Sequence, residues 1–222
     1  MTTTPHLIVF DVNETLSDMA PLGAAFERAG VAAGLSRAWF AGVLRDGFAL
    51  AATGGNAGFA EIAQDSLHRL LTEQAVPGSG EPAEDIMGAF TSLGVHPDVV
   101  SGVNALRGVA ELVTLSNGAG QVAETLLSGA GVREQFSEIL SVQDAPAWKP
   151  ARSAYAYAAT HCGRNPQDML LVAVHPWDIH GAHHAGLRTA WINRAGAAYP
   201  SYFARPDWEA ADLPSLAAQL TA

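Results

Sequence analysis

Short, unbroken apolar runs alternate with longer stretches of helical spacing along most of this chain. Leu7–Phe10, Ala110–Leu115 and Met169–Val174 have the clearest strand character, with Leu187–Ile192 a fourth run and Ile139–Val142 a weaker fifth. Runs without polar interruption suit parallel strands covered on both faces, because a strand with one wet face would alternate. Between them, Gly120–Ala130, Ala151–His161 and Ile179–Ala185 are spaced as helices. Strands alternating with helices predict an α/β fold, a doubly wound parallel sheet with right-handed crossovers. From about Pro21 to Gly94 the pattern changes. Segments rich in Ala and Leu, such as Ala38–Leu50 and Phe59–Leu71, keep helical spacing without a convincing strand, and Pro77–Pro82 reads as a loop. The simplest organisation is an α/β core of residues 1–16 and 95–222. Residues 17–94 then form an all-helical cap, inserted after the first strand and standing over the sheet's carboxyl edge.

Composition narrows this picture without altering it. A chain of 222 residues suits one core with a smaller insert, and 49% apolar with 15% charged residues indicates a packed globular protein. The formal net charge of −10 argues against a nucleic-acid binder or a basic membrane-surface protein. Cys162 is the only cysteine, so neither an internal disulfide nor a cysteine zinc cluster is available, and it reads as a helix-packing residue. Met1–His6 has no basic region or apolar signal core, and no run approaches about 18 apolar residues, so the cytoplasm is the expected compartment.

Four segments place polar groups at or just after strand ends, where open α/β sheets hold their sites. They are Asp11 with Thr15; Ser116-Asn117-Gly118; Lys149 before a helix start; and His175-Pro176-Trp177-Asp178. Each alone has a bland explanation, as a turn residue, a helix cap or a solvated charge. Four in this order at four strand ends form a stronger signal. A strand-end carboxylate such as Asp11, partly shielded from water, can act as a nucleophile.

The order and identity of these residues resemble the haloacid dehalogenase superfamily, and within it the L-2-haloacid dehalogenase (type II) branch. The resemblance covers essentially the whole chain. Leu115-Ser116-Asn117-Gly118 is similar to the branch's second motif, Lys149-Pro150 with Tyr155 to its third, and Trp177-Asp178 with Gly181-Ala182 to its fourth. Phe59–Leu67 resembles the cap segment that carries a substrate-pocket phenylalanine. The resemblance implies that Asp11 displaces halide from C2 of a short 2-haloacid, forming an aspartyl ester that water then hydrolyses. Lys149 would keep Asp11 ionised, and Asp178 would position Lys149 or the hydrolytic water. Thr15, Ser116 and Asn117 would bond Asp11 or the substrate carboxylate. Tyr155 would donate near the lysine, and Trp177 with Phe59 would wall the substrate's carbon chain. No cofactor is implied. The branch often forms homodimers through cap and core; Trp39, Phe40 and Phe48 either line such a surface or pack against the sheet.

Phosphatases of the superfamily carry a second aspartate two residues after the nucleophile and an acidic magnesium ligand at the start of the fourth motif. Those places hold Asn13, an amide without useful proton chemistry, and Val174, which cannot ligate a hard cation. Three further positions depart from the branch. Phe40 stands where an arginine that assists the halide is usual, and Arg45, five residues on, is the nearest cap cation, either facing the pocket or exposed. Ala173 and His175 take the places of a serine and an asparagine; His175 can bind water, bind halide when protonated, act as a base, or simply pack. Asn13 replaces a tyrosine and so alters the pocket lining. His180 and His184 are spaced to share a metal on one helix face, but no acidic partner matches them, and no metal site is expected. Two alternatives stay open beside the dehalogenase: a hydrolase of the superfamily with another small substrate, such as a low-efficiency phosphatase, and a small-acid-binding protein without turnover.

Overall fold

A computed structural model of the chain describes residues 5–78 and 80–222; the segment Met1–Thr4 read above, and Ser79 within the predicted loop, lie outside them. The chain opens with β1 (Leu7–Phe10), every residue of it buried. Four helices follow: α1 (Leu22–Arg28), α2 (Leu35–Ala52), α3 (Phe59–Glu73) and α4 (Gly80–Thr91). Then come α5 (Val99–Arg107), β2 (Glu111–Ser116), α6 (Gly120–Gly129), β3 (Glu138–Ser141), α7 (Arg152–His161), β4 (Met169–Ala173) and α8 (Pro176–Ala185). The chain closes with β5 (Arg188–Ile192), β6 (Trp208–Ala210) and α9 (Leu213–Thr221).

The six strands form one sheet in the order β3-β2-β1-β4-β5-β6, and every pairing is parallel. Alternate residues of β1 serve opposite cores, as a pleated strand requires. Ile8 and Phe10 join α5, α6 and α9 on one side, whereas Leu7 and Val9 join α7 and α8 on the other. That second core runs on without interruption into the apolar faces of α1 to α4. The chain leaves and re-enters the sheet through a neck: Asp18 N–H donates to Gly94 O (2.8 Å) and His96 N–H to Leu16 O (3.0 Å), flanking an antiparallel bridge between Ser17 and Val95.

Some boundaries differ from those predicted. The loop at Pro77–Pro82 is shorter, because α4 starts at Gly80 and takes Pro82 into its first turn, where a missing N–H costs nothing. The same tolerance starts α8 at Pro176, three residues ahead of the predicted segment. Strand β6 was missed: it has three residues, one of them exposed, too few to show a period. Trp39 and Phe40 are buried within the helical layer and Phe48 packs its edge on Trp177, so these three form no exposed apolar face. Among the described residues no helix is long and apolar enough to cross a membrane.

Candidate active site

β1 lies between β2 and β4, so the carboxyl ends of these three strands bring Asp11, Ser116 and the Ala173–His175 turn to one place. Asp11 N–H continues the ladder by donating to Val172 O (3.0 Å), which fixes where the side chain leaves the sheet. The centre of the site is an ion triad. Lys149 Nζ donates to Asp11 Oδ1 (2.9 Å) and to Asp178 Oδ2 (2.7 Å). Lys149 and Asp178 are inaccessible to solvent, and Asp11 is 4% exposed. Thr15 Oγ1 donates to the other Asp11 oxygen (2.6 Å) and accepts from Val174 N–H (3.1 Å), so it cannot swing away. Tyr155 donates from its hydroxyl to Asp178 Oδ1 (2.5 Å). Each oxygen of Asp178 is therefore engaged.

Burial alone would raise the pKa of Asp11, but the Lys149 ammonium, the His175 ring and the two hydrogen bonds outweigh it and hold Asp11 below the usual carboxylate range. Lys149 is likewise held above the usual ammonium value, because its two carboxylates outweigh its desolvation. Asp178 shifts the other way: burial, helped by the nearby charge of Asp11, raises it against Lys149 and Tyr155. Tyr155 is pushed well up by burial beside Asp178 and is a proton donor throughout.

Several residues sit where the sequence pointed but touch different partners. Asn117 was expected to bond substrate or Asp11; instead its amide clamps the main chain of Lys149, donating to Lys149 O (3.0 Å) and accepting from Lys149 N–H (2.9 Å). Ser116 Oγ accepts from Gly118 N–H (2.9 Å), which leaves its own hydrogen to donate. The Asn13 side chain lies beside Gly118, and the main-chain carbonyl of Asn13 faces His175 Nε2 at 3.1 Å. The same nitrogen lies 3.6 Å from Asp11 Oδ2 and 3.6 Å from Glu14 Oε2. The imidazole is stacked on Trp177 (centroids 4.9 Å apart) and faces Phe40 at 6.5 Å. Phe40 in turn meets Phe59 and Phe90, and Phe59 stacks on Trp148.

Arg45 does not reach this site. It pairs with its neighbour Asp46 (2.8 Å), and its side chain is 75% exposed. Five residues of helix turn the chain by about 500°, placing Arg45 some 140° around α2 from Phe40. His180 is also engaged elsewhere, its Nδ1 accepting from Ala204 N–H (3.0 Å), and His184 contacts His180 O (2.9 Å). Among the described residues no group of three His, Cys, Asp or Glu side chains is arranged to hold a metal ion. The strand-end residues do not fit magnesium either. An ammonium already bridges the two aspartates, Asp178 is sealed, and Asn13 and Val174 offer no further carboxylate.

Glu14 was not singled out from the sequence. Its φ of +63° is left-handed, and among the described residues only Ala75 shares that trait without being glycine. A bulky residue directly after Asn13, in a turn that must send Thr15 back to Asp11, was the available signal.

The sequence pattern of the haloacid dehalogenase-like hydrolases matches residues 5–186. An (S)-2-haloacid dehalogenase of Pseudomonas sp. (strain YL) is 29% identical over 70% of this chain and 67% of its own length. The (S)-2-haloacid dehalogenase H-109 of Pseudomonas putida is 26% identical over 93% of both chains. The solved structure of the L-2-haloacid dehalogenase RSc1362 superposes with a TM-score of 0.92 at 27% identity, covering 99% of this chain and 100% of that one. With four-fifths of its length matched in sequence and its parallel sheet and helical layer matched in space, this chain belongs to the haloacid dehalogenase-like hydrolase family.

Proposed function

We propose that this protein is a hydrolase of carbon–halide bonds, of the (S)-2-haloacid dehalogenase type. It converts short 2-haloalkanoic acids to 2-hydroxyacids through an ester on Asp11, without a metal ion. The observation that carries this is the triad. A strand-end carboxylate is kept ionised by a wholly buried lysine, with no acid at position 13 to protonate a leaving group. Phosphate ester chemistry at this position would need that acid, whereas a departing halide does not. The names of the relatives support the same reaction.

In the first half, an Asp11 oxygen attacks C2 in line with the carbon–halogen bond. The bond pair leaves on the halide and C2 inverts. Lys149 holds the attacking carboxylate in place and Thr15 fixes its second oxygen, so little reorganisation is needed at the moment of reaction. The free hydrogen of Ser116 is available to the substrate carboxylate, and Phe40, Phe59 and Trp177 supply an apolar wall. In the second half, water attacks the ester carbonyl, the carbonyl–oxygen bond to the alkyl group breaks, and the hydroxyacid departs with an oxygen from Asp11.

One observation favours a second reading. Phe40 occupies the place of the branch's arginine and Arg45 points outward, so neither position presents a cation to the halide. A member of the fold that binds a small acid without turnover would tolerate this. Halide release from 2-chloropropionate in the presence of a chelator separates the two. The dehalogenase is expected to release chloride and to lose that activity in Asp11→Asn. No release, together with thermal stabilisation by small carboxylates, would establish the binding protein instead.

A further inference from the structure

We infer that Glu14 is the general base of the hydrolytic half-reaction, acting with His175 beside it; this rests on the dehalogenase reading of the same site. Asp178 is badly placed to accept a proton from water: it is inaccessible, and its two oxygens already hold Lys149 Nζ and the Tyr155 hydroxyl. Asp11 itself is the acyl group in that step. Besides Asp11, Glu14 is the carboxylate that lies beside His175 among the described residues. It is 38% exposed at the side chain and borders a cavity of about 720 Å³, also lined by His96, His175 and Arg194, from which water reaches it. No side-chain donor holds its carboxylate within hydrogen-bonding distance among the described residues; His175 Nε2 lies 3.6 Å from it.

The backbone shows that this placement is imposed. Glu14 sits at φ +63°, a conformation that disfavours any side chain. It is pinned there from both ends: Glu14 N–H donates to Ser17 Oγ (3.2 Å), and His96 Nε2 contacts Glu14 O (3.0 Å). Strain that the surroundings hold in place beside a nucleophile is the kind retained for function. The turn directs the carboxylate to the same imidazole nitrogen that faces Asp11 Oδ2. That nitrogen meets three acceptors, Asn13 O, Asp11 Oδ2 and Glu14 Oε2, so it carries a hydrogen and donates. His175 thus steadies the oxygen of Asp11 that gains charge when water adds, while Glu14 takes the proton from that water. When the tetrahedral adduct collapses, Glu14 returns the proton to the departing alkoxide. Asp11 is regenerated, and its own acid proton passes to solvent through the cavity.

The test is rapid-mix halide release from 2-chloropropionate by the parent, Glu14→Gly and Glu14→Gln. Displacement does not use Glu14, so each variant is expected to release a burst of halide stoichiometric with protein. Steady turnover should then fall about a hundredfold, within the range for loss of a general base. The ester should accumulate on the Asp11 peptide. Glycine is at home at φ +63°, so Glu14→Gly should melt no lower than the parent. Formate should restore its turnover, but not that of Glu14→Gln, where the side chain fills the space. Parent-like turnover in either variant, a burst lost in proportion to turnover, or arrest that formate does not relieve would overturn the assignment. Failure of the dehalogenase reading looks different: the parent itself would release no halide.

Discussion

A buried carboxylate serves as a nucleophile only while it is ionised, and at Asp11 three neighbours oppose the burial that would protonate it. Its pKa is lowered, so the active form persists as pH falls and is lost only when pH passes below the ordinary carboxylate value of about 3.9. The halide burst should therefore keep its rate from neutral pH down to about pH 4. In Lys149→Met burial wins: the acid limb should move upward, and the stability lost on leaving two buried carboxylates without their cation is about 3–5 kcal/mol. Burst rates across pH, with urea titrations of both proteins, check this; limbs at the same pH would contradict it. Asp11, Thr15, Lys149 and Asp178 were legible in the sequence because each stands beside the end of an apolar run or the start of a helix. For Arg45 the sequence left both faces of the helix open, and helix phase puts it on the exposed one, away from Phe40. Glu14 was hidden because its place depends on the hand of one turn.

At the scale of elements, α2 seats on the loop that carries Lys149. A Cβ at Gly47 would collide with the indole of Trp148, and Trp148 also donates from its ring nitrogen to Ala57 O (3.0 Å). Glycine at position 47 thus sets how closely the helical layer approaches the residue next to Lys149. Gly47→Ala should destabilise the protein by about 1–3 kcal/mol, as overpacking does. Urea unfolding measures the cost, and an unchanged midpoint would show that Trp148 moves aside freely. The strands were readable because a sheet buried on both faces leaves unbroken apolar runs. Edge strand β6 left no such mark, and Pro82 reads as part of a loop although it lies in the first turn of α4.

Across the whole molecule, two openings border residues of the proposed site. The larger cavity borders Glu14 and His175, and one of about 390 Å³ borders Asn117, Phe59 and Trp148. An acidic chain of net charge −10 that takes an anionic substrate must supply local positive charge, and here Lys149 is held at the centre between two aspartates. The parallel sheet brings these groups together from positions 11 to 178: each was marked locally, and the strand order makes them meet. That assembly makes one claim above the others: the oxygen given to the product comes first from Asp11, and solvent replaces it there. Turnover of 2-chloropropionate in ¹⁸O-water, followed by mass spectrometry of the peptide containing Asp11, tests it directly. The label should accumulate on that peptide over successive turnovers, while hydroxyacid from the first turnover carries ordinary oxygen. Labelled hydroxyacid from the first turnover, with an unlabelled Asp11 peptide, would mean that water attacks C2 itself and that no ester forms.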